Sequence, residues 1–233
     1  MNNFQQGISL VILTVLSLTS GFCQSKSMYK TTIVRAAPGK LMDLIDYYKN
    51  EISIAKSSGE DEPVMMRHSQ GDQWDLLILQ PIMELNNSMN PSYGNKYYDM
   101  IAWKEDIFGY GPKHQDFKNR INEGRYYHVE MFVSLAGKQK ELLTEREMEN
   151  HYLRLIERPE NLIFTRDMGG GKFDIFTIGI YKDIKHYAES ADIPEDKKQE
   201  AAIKAGFEGA DKIGTYLRTL INEHHDTLAG RIE

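Results

Sequence analysis

Two short runs have the composition of β-strands, 29–35 and 127–135, and each run leads through Gly-Lys into a segment with helical spacing of apolar residues. In the first of these segments the apolar residues recur at the i, i+3 and i+4 spacing of one helical face: Leu41, Leu44, Ile45, Tyr48, Ile52 and Ala55. Two strand-like runs follow each helix: 64–68 and 74–81 in the first half, 162–166 and 173–181 in the second. Each half therefore predicts the order strand, helix, strand, strand.

The two halves are also similar in sequence. The segment YKTTIV at 29–34 aligns with YHVEMF at 127–132 at an offset of 98 residues. The segment GDQWDLLI at 71–78 aligns with GGKFDIFT at 170–177 at an offset of 99 residues. Two similar blocks in the same order indicate an internal duplication.

The start of the helix in the second half has two interpretations. Thr144 and Glu147 fit a capping box, which predicts a helix that begins at Thr144. The repeat instead predicts a start at Lys138, and a two-part helix would reconcile the two. The sequence leaves this choice open.

The closing segments of the two halves differ in pattern. The first half ends with a connection rich in glycine and aromatic residues, 108–112, which could form a lid or pack as a linker. The second half ends with a predicted helical region from 194 to 228, in which apolar residues and His224 share one face. Gly230 is the expected C-cap of this last helix.

Two β-α-β-β-α units with antiparallel strands are ferredoxin-like halves, so the predicted fold class is α+β with one repeat at 28–122 and a second at 126–230. The element order and the duplication resemble the dimeric α/β barrel superfamily in its fused, two-repeat form. The resemblance covers residues 28 to about 229, is architectural, and includes no catalytic signature. It implies that the two antiparallel sheets pack together as an α/β barrel.

That superfamily includes cofactor-free monooxygenases, muconolactone-type isomerases, sugar mutarotases, and haem proteins such as chlorite dismutases and dye-decolourising peroxidases. Because one fold hosts all of these chemistries, the resemblance does not select a function.

The N-terminus has the pattern of a targeting segment. An uncharged apolar run at 8–18 is too short to span a bilayer as a helix and fits the core of a signal peptide at 1–23. We expect cleavage near Cys23 and an exported, periplasmic or secreted protein; a lipid anchor on Cys23 is the alternative. Cleavage after Cys23 would leave no cysteine, which excludes disulfides and thiolate chemistry.

Charge and hydropathy narrow the choice of partners. The net charge of −6 argues against nucleic acid, which selects a basic surface. No later segment is long and apolar enough to be a transmembrane helix. We expect a small-molecule ligand as the partner, and a homo-oligomer is possible.

Strand alternation singles out His128 and Glu130. Val129, Met131 and Val133 share one face of their strand, and this aliphatic face is expected to lie under the helices. His128 and Glu130 would then point into the barrel. A histidine and a carboxylate two residues apart on a strand can act as a general base and its orienting group. The alternative is a hydrogen-bonded set at the barrel rim with no catalytic role.

Five other residues complete the predicted site. His224 is the second candidate for catalysis, and the candidates for substrate binding are Lys30, Thr32, Arg166 and Tyr110. The repeat places Lys30 and Thr32 at the positions of His128 and Glu130. No metal-binding motif is present, and neither a metal nor an organic cofactor is expected.

Three function hypotheses follow. The first is a cofactor-free isomerase, mutarotase or lyase in which His128 is the acid/base and Glu130 orients it. The second is a non-catalytic binding or accessory protein, for example in processing breakdown products of an extracellular polymer. The third is a haem-binding barrel, which needs a single axial histidine.

Overall fold

The computed structural model describes residues 26–82, 94–169 and 171–232. The predicted signal peptide at 1–23 lies outside the described residues, so export remains a prediction. None of the helices in the described part of the chain has the length and apolar character needed to cross a membrane.

Each half of the chain is a β-α-β-β-α-β unit. The elements of the first half are β1 (Ser27–Ala36), α1 (Leu41–Ser57), β2 (Val64–Gln70), β3 (Leu76–Ile82), α2 (Asn95–Tyr98) and β4 (Ile101–Gly111), followed by the connecting helix α3 (His114–Ile121). Those of the second half are β5 (Tyr126–Ser134), α4 (Gln139–Leu155), β6 (Leu162–Gly169), β7 (Ile175–Tyr181), α5 (Ile184–Ala188), α6 (Glu195–Ala205), α7 (Ile213–Arg218) and β8 (Ile221–Ile232). Short 3-10 helices at Glu189–Asp192 and Ala210–Lys212 flank α6. The α+β, ferredoxin-like prediction is confirmed, with a fourth strand added to each half.

All strand pairs are antiparallel, and the eight strands close into a barrel in the order β1-β3-β2-β8-β5-β7-β6-β4. Within each half the order is that of a ferredoxin-like sheet: β4-β1-β3-β2 in the first and β8-β5-β7-β6 in the second. The halves join where β2 pairs with β8 and where β6 pairs with β4.

A hydrogen bond at equivalent positions shows the duplication in the backbone. Asp75, just before β3, accepts the backbone N–H of Ala36 at 2.8 Å. Asp174, just before β7, accepts the backbone N–H of Ser134 at 2.9 Å. Each carboxylate satisfies a donor at the end of the neighbouring strand, where the regular sheet pairing stops.

The inside of the barrel is apolar. One buried cluster draws side chains from all eight strands and includes Tyr29, Val129, Met131, Phe164 and Ala229. Separate apolar clusters lie on the outer face, under α1 in the first half and under α4 and α7 in the second.

The predicted orientation of β5 is therefore wrong. Val129 and Met131 point into the barrel, and His128 and Glu130 point outward, towards α4. The sheet encloses the interior on every side, so the driest environment lies inside the barrel and the aliphatic residues occupy it. Helices cover the outer face only in part, which leaves room there for polar groups.

The predicted helical region at 194–228 is confirmed as far as α6 and α7, but its last part is wrong, because residues 221–232 form β8 between β2 and β5. The spacing that suggested a helix is ambiguous: positions 220, 224 and 228 share a face in a helix and also in a strand. Gly230 accordingly lies within the strand and is not a helix cap.

The Gly/aromatic connection at 108–112 belongs mostly to β4. A Cβ on Gly109 would lie 2.4 Å from the carbonyl oxygen of Thr165, so the glycine allows β6 to approach. The second-half helix begins at Gln139 and continues without a break, as the repeat predicted and the capping box at Thr144 did not.

Candidate functional site

Four polar side chains form a two-by-two array on the outer face of the second-half sheet. Glu130 on β5 lies opposite Asp226 on β8, and Phe132 lies opposite His224. The hydrogen bonds run along the diagonals: His128 Nε2 to Asp226 Oδ1 at 2.6 Å, and His224 Nε2 to Glu130 Oε1 at 3.2 Å. The structure thus brings together the three predicted catalytic residues, His128, Glu130 and His224, and adds Asp226.

Helix α4 covers this array with a buried cation. Arg146, whose side chain is 1% exposed, lies with Nη1 2.5 Å from Glu149 Oε2 and 3.8 Å from Glu130 Oε2. Its Nε and Nη2 donate to the two oxygens of Glu145 at 2.6 and 2.7 Å. The guanidinium carbon lies 4.7 Å from the centre of the Phe132 ring. Arg146 therefore balances three carboxylates at once.

Neighbouring side chains hold the array in place. Thr177 on β7 donates its hydroxyl to Glu130 Oε2 at 3.2 Å. The His224 imidazole stacks on Phe132 with ring centres 4.7 Å apart, and Tyr187 lies 5.3 Å from the ring of His128. These contacts restrict the rotation of both imidazoles.

The pKa values of Glu130 and Glu149 are shifted in opposite directions. Burial alone would raise the pKa of Glu130, but the hydrogen bond from His224 and the charges of His128 and Arg146 lower it to about 2. Burial raises the pKa of Glu149 to about 7; Arg146 opposes this rise, and the nearby carboxylate of Glu130 adds to it. At neutral pH, Glu130 is ionised and Glu149 is poised to exchange a proton.

The histidine next to these carboxyl groups is also perturbed. Burial alone would lower the pKa of His128, but its hydrogen bond to Asp226 and the charge of Glu130 raise it above the ordinary value. A protonated imidazole is therefore stabilised at this position.

Exposure divides the cluster into a floor and a rim. Arg146 and Glu130 are buried, whereas the side chains of His128 and Glu149 are 15% and 22% exposed. The Asp226 side chain is 57% exposed and lies at the solvent end of the cluster, and the Arg146–Glu145 ion pair lies at its buried end. Within the three described ranges, no group of three or more His, Cys, Asp or Glu side chains is arranged to hold a metal ion.

Lys30 and Thr32 occupy the equivalent array of the first half. Lys30 Nζ lies 3.6 Å from Asp106 Oδ2, and the Thr32 hydroxyl donates to Asp106 Oδ1 at 2.6 Å. Because β1 and β5 are not neighbours in the barrel, these two residues do not join His128 and Glu130.

Arg166 and Tyr110 lie near the junction of β4 and β6, which β7 separates from β5. Arg166 pairs with Asp174 at 2.7 Å, and the Tyr110 side chain is largely directed to solvent. Arg166 and Tyr110 are therefore not part of the site around His128 and Glu130, contrary to the prediction.

Sequence reasoning missed Arg146, Glu149 and Asp226. The signal for Arg146 was available, because the offset of 98 residues aligns it with Tyr48, a member of the predicted apolar face of α1. The same offset aligns Glu149 with Glu51. Asp226 was assigned to a helix, so it was not recognised as a strand residue that contacts His128.

The closed barrel of two ferredoxin-like halves identifies the class of fold. This chain has the fold of the dimeric α/β barrels, with both halves in one polypeptide. No protein-family model and no curated protein sequence matches it.

Solved structures do match over most of the chain. An anthrone oxidase-like protein superposes with a TM-score of 0.60 at 10% identity, covering 89% of this chain and 92% of that one. A candidate monooxygenase from Lactobacillus acidophilus NCFM gives 0.51 at 9% identity, covering 89% and 94%. A candidate chlorite dismutase gives 0.51 at 11% identity, covering 90% and 96%. At these identities the similarity establishes the fold alone.

Proposed function

We propose that this chain binds a small organic molecule at the polar cluster between α4 and the second-half sheet and catalyses a proton transfer on it. The supporting observation is the pair of diagonal histidine–carboxylate contacts, His128 with Asp226 and His224 with Glu130, beside Glu149. Isomerisation, mutarotation and elimination are the reaction types that such groups serve.

His128 is the general base of this proposal. Its Nε2 faces the Asp226 carboxylate at 2.6 Å, so the proton resides on Nε2 and the lone pair on Nδ1. Nδ1 takes a proton from a carbon or oxygen of the substrate, and Asp226 stabilises the imidazolium that forms. Asp226, rather than the predicted Glu130, orients this histidine.

Glu149 is the general acid. With a pKa of about 7 it is partly protonated at neutral pH, and it donates its proton to a second atom of the substrate. The substrate thereby loses one proton and gains one, and solvent restores both groups. Glu130 and Arg146 form the charged floor beneath them.

The experiment is ¹H NMR in D₂O on a panel of reducing sugars, 2-keto acids and unsaturated lactones, and it follows exchange of protons at carbon and, for the sugars, exchange between anomers. We expect the purified chain to accelerate exchange in at least one of these classes. His128→Ala and Glu149→Gln should each lower the rate about 100-fold or more. Lys30→Met, the equivalent change in the first half, should leave it unchanged. Absence of exchange across the panel, or equal rates in all variants, would refute the proposal.

The residues around His128 and His224 do not suit haem. A haem iron needs an imidazole nitrogen and a flat apolar slot for the porphyrin. The Arg146 guanidinium covers the Phe132 ring and the His224 imidazole stacks on it, so the aromatic surface of this cluster is already occupied. Adding haemin to the purified chain should produce no stoichiometric Soret band. A band that disappears in a single histidine variant would replace proton transfer with haem binding.

A further inference from the structure

A pocket lies at one end of the barrel, apart from the polar cluster around His128 and Glu130. Its volume is about 240 Å³. Its walls come from β1, β4 and β8 and from the turns before β3 and β7: Ile33, Asp72, Gln73, Trp74, Trp103, Glu105, Lys172, Phe173 and His225. Glu105 pairs with Ile33 and alternates with Ile107, both members of the interior cluster, so the pocket opens on the inner face of the barrel. We call it the barrel-end pocket.

Each acidic group of the barrel-end pocket already has a partner. His225 Nδ1 lies 3.0 Å from Asp72 Oδ2, and its Nε2 lies 3.6 Å from Glu223 Oε2. Lys172 forms an ion pair with Glu223, and its backbone N–H donates to Glu105 Oε1 at 2.9 Å. The rim therefore offers many hydrogen-bonding atoms, and its three carboxylates outnumber the Lys172 ammonium.

The pocket also contains aromatic surface and an unused donor. Trp74, Trp103 and Phe173 form its apolar walls. Trp74 is 1% exposed, and its indole N–H has no hydrogen-bond partner among the described residues. A buried donor without a partner is costly, so an oxygen atom that reached it would be bound favourably.

We propose that the barrel-end pocket binds a neutral, hydroxylated ring of monosaccharide size. The C–H face of such a ring packs on Trp103, the aromatic wall residue that is only partly buried. Its hydroxyls donate to the carboxylates of Asp72 and Glu105, and one hydroxyl oxygen accepts from the Trp74 N–H. The volume accommodates a single ring.

Charged ligands fit this pocket less well. The Lys172 ammonium lies 5.5 Å from the centre of the Phe173 ring, so a positive charge already occupies that aromatic face. The carboxylates of Asp72, Glu105 and Glu223 repel an anion. A neutral ligand avoids both penalties.

Intrinsic fluorescence tests this proposal selectively, because the chain has two tryptophans and both line this pocket. The intact chain is titrated with D-glucose, D-galactose and D-xylose, and with choline and benzoate as charged comparisons. We expect a saturable change in emission with at least one sugar. The His128→Ala variant should respond as the wild type does, because His128 lies in the other site.

Calorimetric titration of variants assigns the contacts. Glu105→Gln and Trp74→Phe should each weaken binding of the responding sugar about tenfold, through loss of an acceptor and a donor. Circular dichroism checks that each variant is folded; if Trp74→Phe does not fold, Glu105→Gln and Trp103→Ala provide the test. The proposal is overturned if no sugar gives a saturable change, if choline or benzoate alone does, or if these variants bind as tightly as the wild type.

Discussion

The two halves of this barrel share one backbone plan and carry different chemistry on it. Where the second half has His128 and Asp226, the first half has Lys30 and Asp106 on the same diagonal of its sheet. The contact is 2.6 Å in the second half and 3.6 Å in the first. The fold thus tolerates either pair, and the side chains alone decide whether a proton can be exchanged near neutral pH.

The helices that cover the two sheets differ in the same way. In the first half, Tyr48 and Tyr97 pair through their hydroxyls at 2.8 Å, and Tyr47 packs against both rings. Burial raises the pKa of Tyr47 to about 12, so this phenol stays protonated. The second half replaces Tyr48 by Arg146 and surrounds it with carboxylates. Packing of tyrosine rings dominates under the helix of the first half, and charge compensation dominates under the helix of the second half.

The largest expected effect is the loss of the buried cation. Arg146→Met should lower the free energy of unfolding by about 3–5 kcal/mol at pH 7, because Glu130 and Glu145 would remain buried without a counter-charge. Tyr48→Phe, the matched change in the first half, removes one hydroxyl contact and should cost about 1 kcal/mol. Urea unfolding measures both. Equal losses of unfolding free energy would mean that the helix–sheet contacts of the two halves are stabilised in the same way.

Removal of the ionised carboxylate should have the next largest effect. The pKa of Glu130 falls from an ordinary 4.5 to about 2 in the folded protein, so its contribution is complete above pH 4.5 and is lost as the pH falls towards 2. Glu130→Gln should remove on the order of 3 kcal/mol at pH 7 and flatten the stability profile in that window.

Thr32→Val is the matched change for Glu130 in the first half. It should cost about 1 kcal/mol, since it deletes one hydrogen bond to Asp106. Thermal unfolding between pH 2 and pH 7 separates the two variants. A Glu130→Gln profile parallel to that of the wild type would contradict the assigned pKa.

A third pair of variants tests the shared backbone plan. Asp75→Ala and Asp174→Ala each leave a backbone N–H without its acceptor, and each should cost about 1–2 kcal/mol. Asp174 also accepts from Arg166, so its loss should be slightly larger. Urea unfolding measures the difference. A much larger loss of unfolding free energy in one half would show that the two carboxylate–backbone hydrogen bonds are not equivalent.

The effect expected of Glu149 has the opposite sign to that of Glu130. Its pKa rises from 4.5 to about 7, so ionisation costs stability as the pH increases through this range. Glu149→Gln should be at least as stable as the wild type at pH 8 and should remove the decline between pH 4.5 and 7. Glu51→Gln, at the matched position of α1, should leave that decline in place. Calorimetric melting temperatures across the range provide the comparison.

The sequence predicted those parts of the fold that short-range patterns determine. The runs at β1 and β5, the Gly-Lys step and the following helices were identified because each has a local signature and a second copy. The last strand was missed because His224 and Leu228 share a face in both a helix and a strand. Only pairing with β2 and β5 distinguishes the two, and such pairing is not local.

Only three of the seven predicted site residues lie in the cluster on the second-half sheet. His128, Glu130 and His224 do meet, yet on the outer face, because the orientation of β5 depends on which side of the sheet is more fully enclosed. Arg146 and Glu149 lie on a helix, where charged residues are usually solvated. Their burial follows from the helix covering a polar patch, which no single segment of sequence reveals.

Covalent linkage of the two halves makes closure of the barrel independent of protein concentration. The barrel closes where β2 meets β8 and where β4 meets β6, and both junctions join parts of one polypeptide. Closure is therefore a unimolecular step, in which each half encounters the other at an effective concentration in the millimolar range. The midpoint of its unfolding should not shift with protein concentration, as it would for a barrel assembled from two separate chains.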